Sequence, residues 1–118
     1  MALQYGGKLE SGVTSLSNVD RVELANLLIT VRDSAAREGA VVIYGFANEN
    51  ERNALVVARR RAEAVQEYLL SLGVWRHRIN VDTKIWRNAS LVPVSQRNQI
   101  EVEFIPACSP GGCENPCG

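Results

Sequence analysis

The chain has 118 residues, 46% of them hydrophobic, and its 13 Lys plus Arg are balanced by 13 Asp plus Glu. That length suits one domain with a single core, and the absence of a basic surplus argues against a general polyanion binder, so nucleic acid is not an expected partner. No apolar run approaches the ~20 residues needed to span a bilayer, and no signal-peptide pattern is visible, which leaves either a cytoplasmic chain or a mature form.

The N-terminal stretch ALQYGGKLESG places Leu3, Tyr5, Gly7 and Leu9 on one face, which predicts a first strand loosened by Gly6 and Gly7. SNVD at 17–20 is a capping box: Ser17 accepts from the Asp20 amide and the Asp20 side chain reaches back. Val22, Ala25, Leu28, Val31 and Ala35 then form a helical stripe that Gly39 is placed to stop. AVVIYGF at 40–46 is a continuous apolar run, expected to be a central strand. In the polar segment ANENERN, Asn48 or Asn50 is the expected cap of a second helix, with Glu49 and Glu51 set against its dipole. That helix should run to about Leu72 and end at Gly73. RINVDTKI at 78–85 alternates, with Ile79, Val81, Thr83 and Ile85 inward; QIEVEFI at 99–105 does the same with Ile100, Val102 and Phe104. Between them lies a long connection in which Pro93 fits an edge or loop position. The order β-α-β-α-β-β predicts an α+β domain with two helices over one face of a mixed sheet of three or four strands. The domain should cover 1–106, with 107–118 as a flexible tail rich in Cys, Pro and Gly.

Three consecutive arginines lie in the second helix. At about 100° per residue, Ala54, Val57, Ala58, Ala64, Val65, Tyr68 and Leu72 fall on the side of Arg61, whereas Arg59 points away and Arg60 sits near the edge. Arg61 is thus centred on the apolar face and needs an anionic partner or a route to water. Two readings fit: an internal ion pair or snorkelling side chain, or an arginine held at a cleft to take a ligand carboxylate.

Catalytic patterns are missing. No Gly-rich phosphate loop, nucleophile elbow or paired-His metal motif occurs, and the chain is not expected to be an enzyme or to need a cofactor. His77, flanked by Arg76 and Arg78, reads as a surface loop residue. Trp75 and Trp86 read as packing anchors at the ends of the third strand. Cys108, Cys113 and Cys117 allow one disulfide plus a spare thiol; their spacing C-x4-C-x3-C fits no common zinc pattern, so no metal is expected.

The segment VVIYGFANENERNALVVARRRAEAVQEYLLSLGVWRHRINV resembles the OmpA-like family, which includes the C-terminal domain of OmpA, Pal and MotB. Arg61, Ala62, Val65 and Leu69 match the family's Arg-Ala-x-x-Val-x-x-x-Leu, and Gly73, Val74 and Ile79 match the step into the next strand; the likeness covers roughly residues 3–105. The resemblance implies a βαβαββ-type OmpA-like sandwich and a non-catalytic, cell-envelope module of a Gram-negative bacterium, periplasmic or associated with the outer membrane. In that family the arginine aligned with Arg61 and an aspartate after the second strand grip diaminopimelate of the peptidoglycan peptide. An Arg fork suits a carboxylate and an Asp suits an ammonium. The implied ligand-binding positions here are Ala47, Asn48, Val57, Ala58, Arg61 and Arg97. Asn48 stands where the family has Asp, Ala54, Val57 and Ala58 where it has Asn, Leu and Ser, and Arg97-Asn98-Gln99 where Asn-Arg-Arg is common; the loop before Arg61 is also short and lacks its usual Gly. The implied partner is therefore diaminopimelate-containing peptidoglycan bound weakly or in altered form. The alternative is an envelope protein bound by a domain of the same fold whose pocket has degenerated.

Overall fold

The computed structural model describes residues 3–107. In chain order the elements are β1 (Leu3–Gly7), α1 (Asn18–Arg32), β2 (Val41–Asn48), α2 (Ala54–Ser71), β3 (Ile79–Trp86) and β4 (Ile100–Phe104), with short 3-10 turns at Arg76–Arg78 and Val94–Gln96. The strands form one mixed sheet in the order β1-β4-β2-β3. β4 runs antiparallel to both β1 and β2, and β2 runs parallel to β3. The expected α+β class and element order are both found. Of the expected tail, residues 108–118 with the three cysteines lie outside the described residues.

Alternation explains how the sheet acquires a core side. Val41 and Ile43 of β2 and Ile100, Val102 and Phe104 of β4 are buried together with Leu24, Leu28 and Val31 of α1 and Ala62, Val65 and Leu69 of α2. Both helices therefore share one core against one face of the sheet. The capping box is formed: Asp20 N–H donates to Ser17 Oγ at 3.1 Å, and Ser17 N–H donates to Asp20 Oδ2 at 3.1 Å. Asp20 is also tied to the sheet, because the Tyr5 hydroxyl donates to its Oδ1 at 2.7 Å. Burial, then the bond to Asp20 and its charge, push the Tyr5 hydroxyl well above its ordinary pKa.

Four local expectations are corrected. First, α1 ends at Arg32, seven residues short of Gly39. Ser34 is the cause: its hydroxyl donates to the Val31 carbonyl at 2.8 Å and accepts from the Ala36 amide at 3.0 Å, competing with the helical ladder. Second, the residue capping α2 is Asn53, in the left-handed region at φ 54°, with no side-chain cap. Asn48 instead closes β2. Third, Val81 is 40% exposed despite its inward register, because β3 is an edge strand. Fourth, Trp75 is no packing anchor, being 69% exposed. Trp86 does pack: its ring stacks on Phe46 at 4.9 Å and its indole N–H donates to the Asn98 carbonyl at 2.7 Å.

The far end of α2 behaves as expected. Gly73 adopts φ 95°, its N–H donates to Leu70, and the Val74 N–H donates to Leu69, which is a Schellman stop.

The helix–sheet spacing is set by small residues. A Cβ on Gly45 would lie 2.0 Å from the Ala58 carbonyl oxygen and 2.9 Å from the Ala62 Cβ. Only a residue without a side chain lets α2 come this close to β2. Gly45→Ala should therefore lower folding stability by about 3 kcal/mol, as overpacking against rigid backbone does, measured by urea denaturation. A loss under about 0.5 kcal/mol would mean that the helix can move away freely.

Candidate functional site

Arg61 has no exposed surface. Its position follows from the helix: Ala58, Arg61, Ala62 and Val65 are all buried on one face of α2. With Ala at 58 and 62 the helix lies close over β2, and the long side chain reaches past the strand end into the surrounding loops.

Every N–H of the guanidinium is met within the chain. Nε donates to the Val13 carbonyl at 2.8 Å, Nη1 to the Phe46 carbonyl at 2.8 Å, and Nη2 to the Glu10 carbonyl at 3.0 Å. Nη1 and Nη2 also form a fork on Glu51, at 3.0 Å to Oε2 and 2.8 Å to Oε1. A guanidinium has about five N–H donors, so this list exhausts them. The internal ion pair is thus the state found.

Glu51 is saturated in the same way. Besides the two guanidinium nitrogens, its Oε1 accepts from the Gly12 amide at 2.9 Å and its Oε2 from the Asn48 amide at 2.7 Å. It is 7% exposed. Burial alone would raise its pKa; the Arg61 guanidinium and the Gly12 and Asn48 amides outweigh that and hold the carboxyl below the usual range. The expectation that Glu51 faces the α2 dipole is therefore corrected: it turns inward to Arg61. Glu49 lies at the surface, 4.0 Å from Arg87.

Of the other expected positions, Ala47 and Ala58 are fully buried. Val57 is half-buried on α2. Asn48 is half-buried, yet its Oδ1 is enclosed and has no hydrogen-bond partner among the described residues. Arg97 Nε donates to the Val92 carbonyl at 2.9 Å, and its guanidinium lies 5.9 Å from the centre of the Trp86 ring, which itself stacks on Phe46. Gln99, not singled out in the sequence, is 6% exposed and staples β4 to the loop after β1, accepting from the Leu9 amide at 2.9 Å. Among the described residues no group of three or more His, Cys, Asp or Glu is placed to hold a metal ion. No helix among them is long and apolar enough to cross a membrane.

The sequence profile of the OmpA family matches residues 10–102, most of the chain. The chain belongs to the OmpA family. No curated protein sequence matches it. Among solved structures it is similar to the OmpA-like domain of FopA1 from Francisella tularensis, at TM-score 0.72 and 16% identity over 90% of this chain and 73% of that one. It is also similar to the cell wall anchor of the type VI secretion system from Pseudomonas aeruginosa, at TM-score 0.65 and 12% identity over 90% and 81%. The C-terminal domain of Helicobacter pylori MotB aligns at TM-score 0.67 and 13% identity over 87% of each chain. These TM-scores show a shared OmpA-like fold. The family includes peptidoglycan-binding envelope domains.

Within this OmpA-like domain the Glu51–Arg61 pair predicts a pH signature. Glu51 titrates lower in the folded chain than at its unfolded value of about 4.3. Its contribution is therefore full above that value and is lost as pH falls through the folded pKa. Glu51→Gln leaves a buried guanidinium without its counter-charge, which should cost about 3–5 kcal/mol at pH 7. The gap to the unsubstituted chain should narrow below about pH 4. Denaturation of both chains from pH 7 to pH 3 measures this; a gap that stays constant with pH would show that Glu51 is not the ionised partner.

Proposed function

We propose that this domain is a non-catalytic envelope module in which the chain's own Glu51 occupies the carboxylate-binding arginine. Its role is then structural, or the binding of an envelope protein, rather than a strong grip on diaminopimelate. The carrying observation is the saturation of Arg61: five N–H bonds, two of them to one internal carboxylate, and no exposed surface. A ligand carboxylate would have to displace Glu51 from four donors at once. Asn48 adds to the reading, because an amide gives a ligand ammonium no counter-charge. Membership of the OmpA family and the likeness to a cell wall anchor and to MotB support an envelope-facing compartment.

One observation favours the second reading, weak binding of diaminopimelate-containing peptidoglycan. The enclosed Asn48 Oδ1 has no donor among the described residues, and a buried acceptor without one is costly. A ligand N–H reaching it would relieve that cost.

Titration with a diaminopimelate-containing muropeptide, followed by amide NMR, separates the two. The unsubstituted chain should show no saturable shifts around 45–61. Glu51→Gln, where it stays folded, should gain binding as the guanidinium is freed. If instead the unsubstituted chain binds, and Asn48→Asp tightens binding about tenfold through a charged hydrogen bond, the cell-wall reading replaces the closed-pocket one.

A further inference from the structure

The Arg61 cluster sits among the loops that follow β1 and β2. At the other end of the domain, where both helices finish, a cleft of about 770 Å³ is open to solvent. It is lined by Arg32, Asp33, Arg37, Glu38, Trp75 and His77, with Gly73 and Arg78 completing the wall. That volume lies in the range of small-molecule sites.

Local structure produces this cleft. The early end of α1 at Arg32 sends 33–39 through a series of turns rather than another helical turn. The Schellman stop at Gly73 turns the chain away from α2 and presents Trp75 on the way to β3. Arg78 braces the floor, its Nε donating to the Gly39 carbonyl at 2.9 Å and its Nη2 to the Ala36 carbonyl at 3.3 Å. Arg32 makes one long bond, 3.5 Å to the Leu72 carbonyl. Among the described residues no carboxylate lies within 4.0 Å of the Arg32 or Arg37 guanidinium. Trp75 is 69% exposed, and its ring lies 5.4 Å from that of His77, tilted by 47°.

We propose that this cleft binds an acidic saccharide: hexose units carrying one carboxylate. Three observations choose that class. An exposed indole beside an imidazole offers a flat apolar face that the C–H side of a sugar ring covers, removing both from water. The uncommitted guanidinium of Arg37, with Arg32 next to it, takes a carboxylate through charge-assisted bonds. Asp33 and Glu38 accept hydrogen bonds from hydroxyl or acetamido groups, and they repel a densely charged polyanion. Three arginines against two carboxylates leave room for a single negative charge rather than for a polyphosphate. The site does not use Arg61 or Glu51, so it stands apart from the reading of the other end.

The test uses the intact chain and three disaccharides: N-acetylglucosaminyl-N-acetylmuramic acid, a uronic-acid disaccharide, and neutral di-N-acetylchitobiose. Amide NMR and tryptophan fluorescence report binding. At least one carboxylated disaccharide should shift the amides of 32–39 and 73–78 saturably and bind about tenfold tighter than the neutral one. A preference for the first assigns the source to an amino-sugar glycan, and a preference for the second to a uronic-acid polysaccharide. Trp75→Ala should abolish binding. Arg37→Ala should remove the preference for the acidic sugars while weak binding of the neutral one persists. Both side chains are exposed, so the fold should survive either change, as circular dichroism checks. Saturation by none of the three, equal affinity for acidic and neutral sugars, or undiminished binding by Trp75→Ala would each overturn the proposal.

Discussion

A guanidinium with no access to water must have its charge and all its donors met by the protein, and Arg61 imposes that demand on one end of the domain. The acceptors come from distant parts of the chain: Glu10 and Val13 in the loop after β1, Phe46 in β2, and Glu51 in the turn before α2. None of these groups is held in place by a helix ladder at that point. They are brought to common positions because the guanidinium is planar and its donors have fixed directions. A buried ion pair is weak evidence of net stability, since desolvation offsets much of its attraction. Its effect here is positional. It fixes how two loops approach the end of the central strand.

That effect depends on the packing beneath it. Gly45, Ala58 and Ala62 let α2 lie close over β2. Were the helix held further out by a larger residue, the Arg61 nitrogens would move away from the Phe46 carbonyl, which lies on the residue next to Gly45. The close approach and the buried cation are therefore one design: small residues on the helix face allow a single long one between them to reach the strand end. The opposite end is organised by ordinary stop signals, a serine that ends α1 early and a Schellman glycine that ends α2. Its charged side chains remain at the surface because nothing there requires them to be buried.

Much of this was legible in the sequence, to the extent that the responsible physics is local or periodic. The Ser17–Asp20 box, the Gly73 stop and the alternation in β4 depend on neighbours along the chain, and each is found. Helical periodicity also placed Arg61 on the buried face. Its partner was harder to see. Glu51 precedes α2 and resembles a residue favouring the helix dipole; its carboxylate is instead held inward by Arg61 and by the Gly12 and Asn48 amides, contacts that no sequence period encodes. The length of α1 was overestimated because the apolar spacing continues through Ala35, whereas the Ser34 hydroxyl decides the end by taking the Val31 carbonyl. Trp75 was misassigned because size and hydrophobicity do not reveal that Val74 takes the core position after the Gly73 stop and leaves Trp75 facing solvent. The roles of Gln99 and Arg97 depend on loop-to-strand contacts that no sequence period encodes.

The proposed closed pocket does not conflict with an arginine at the position of the family motif. Arg61 would be retained whether or not a ligand binds, because its loss strands three backbone carbonyls and a buried carboxylate. Its presence therefore says little about ligand affinity. The deciding quantity is where the carboxylate on its fork comes from. Glu51 is tethered ten residues away, so it competes as an intramolecular group, and short flexible tethers correspond to effective concentrations of about millimolar or more. Here the turn is ordered by the Gly12 and Asn48 amides, which raises that advantage further. A free carboxylate that merely reproduces the Glu51 contacts cannot win at lower concentration. On the proposed reading a successful competitor needs at least one additional interaction, and Asn48 Oδ1, which has no partner among the described residues, is the acceptor from which it would be built.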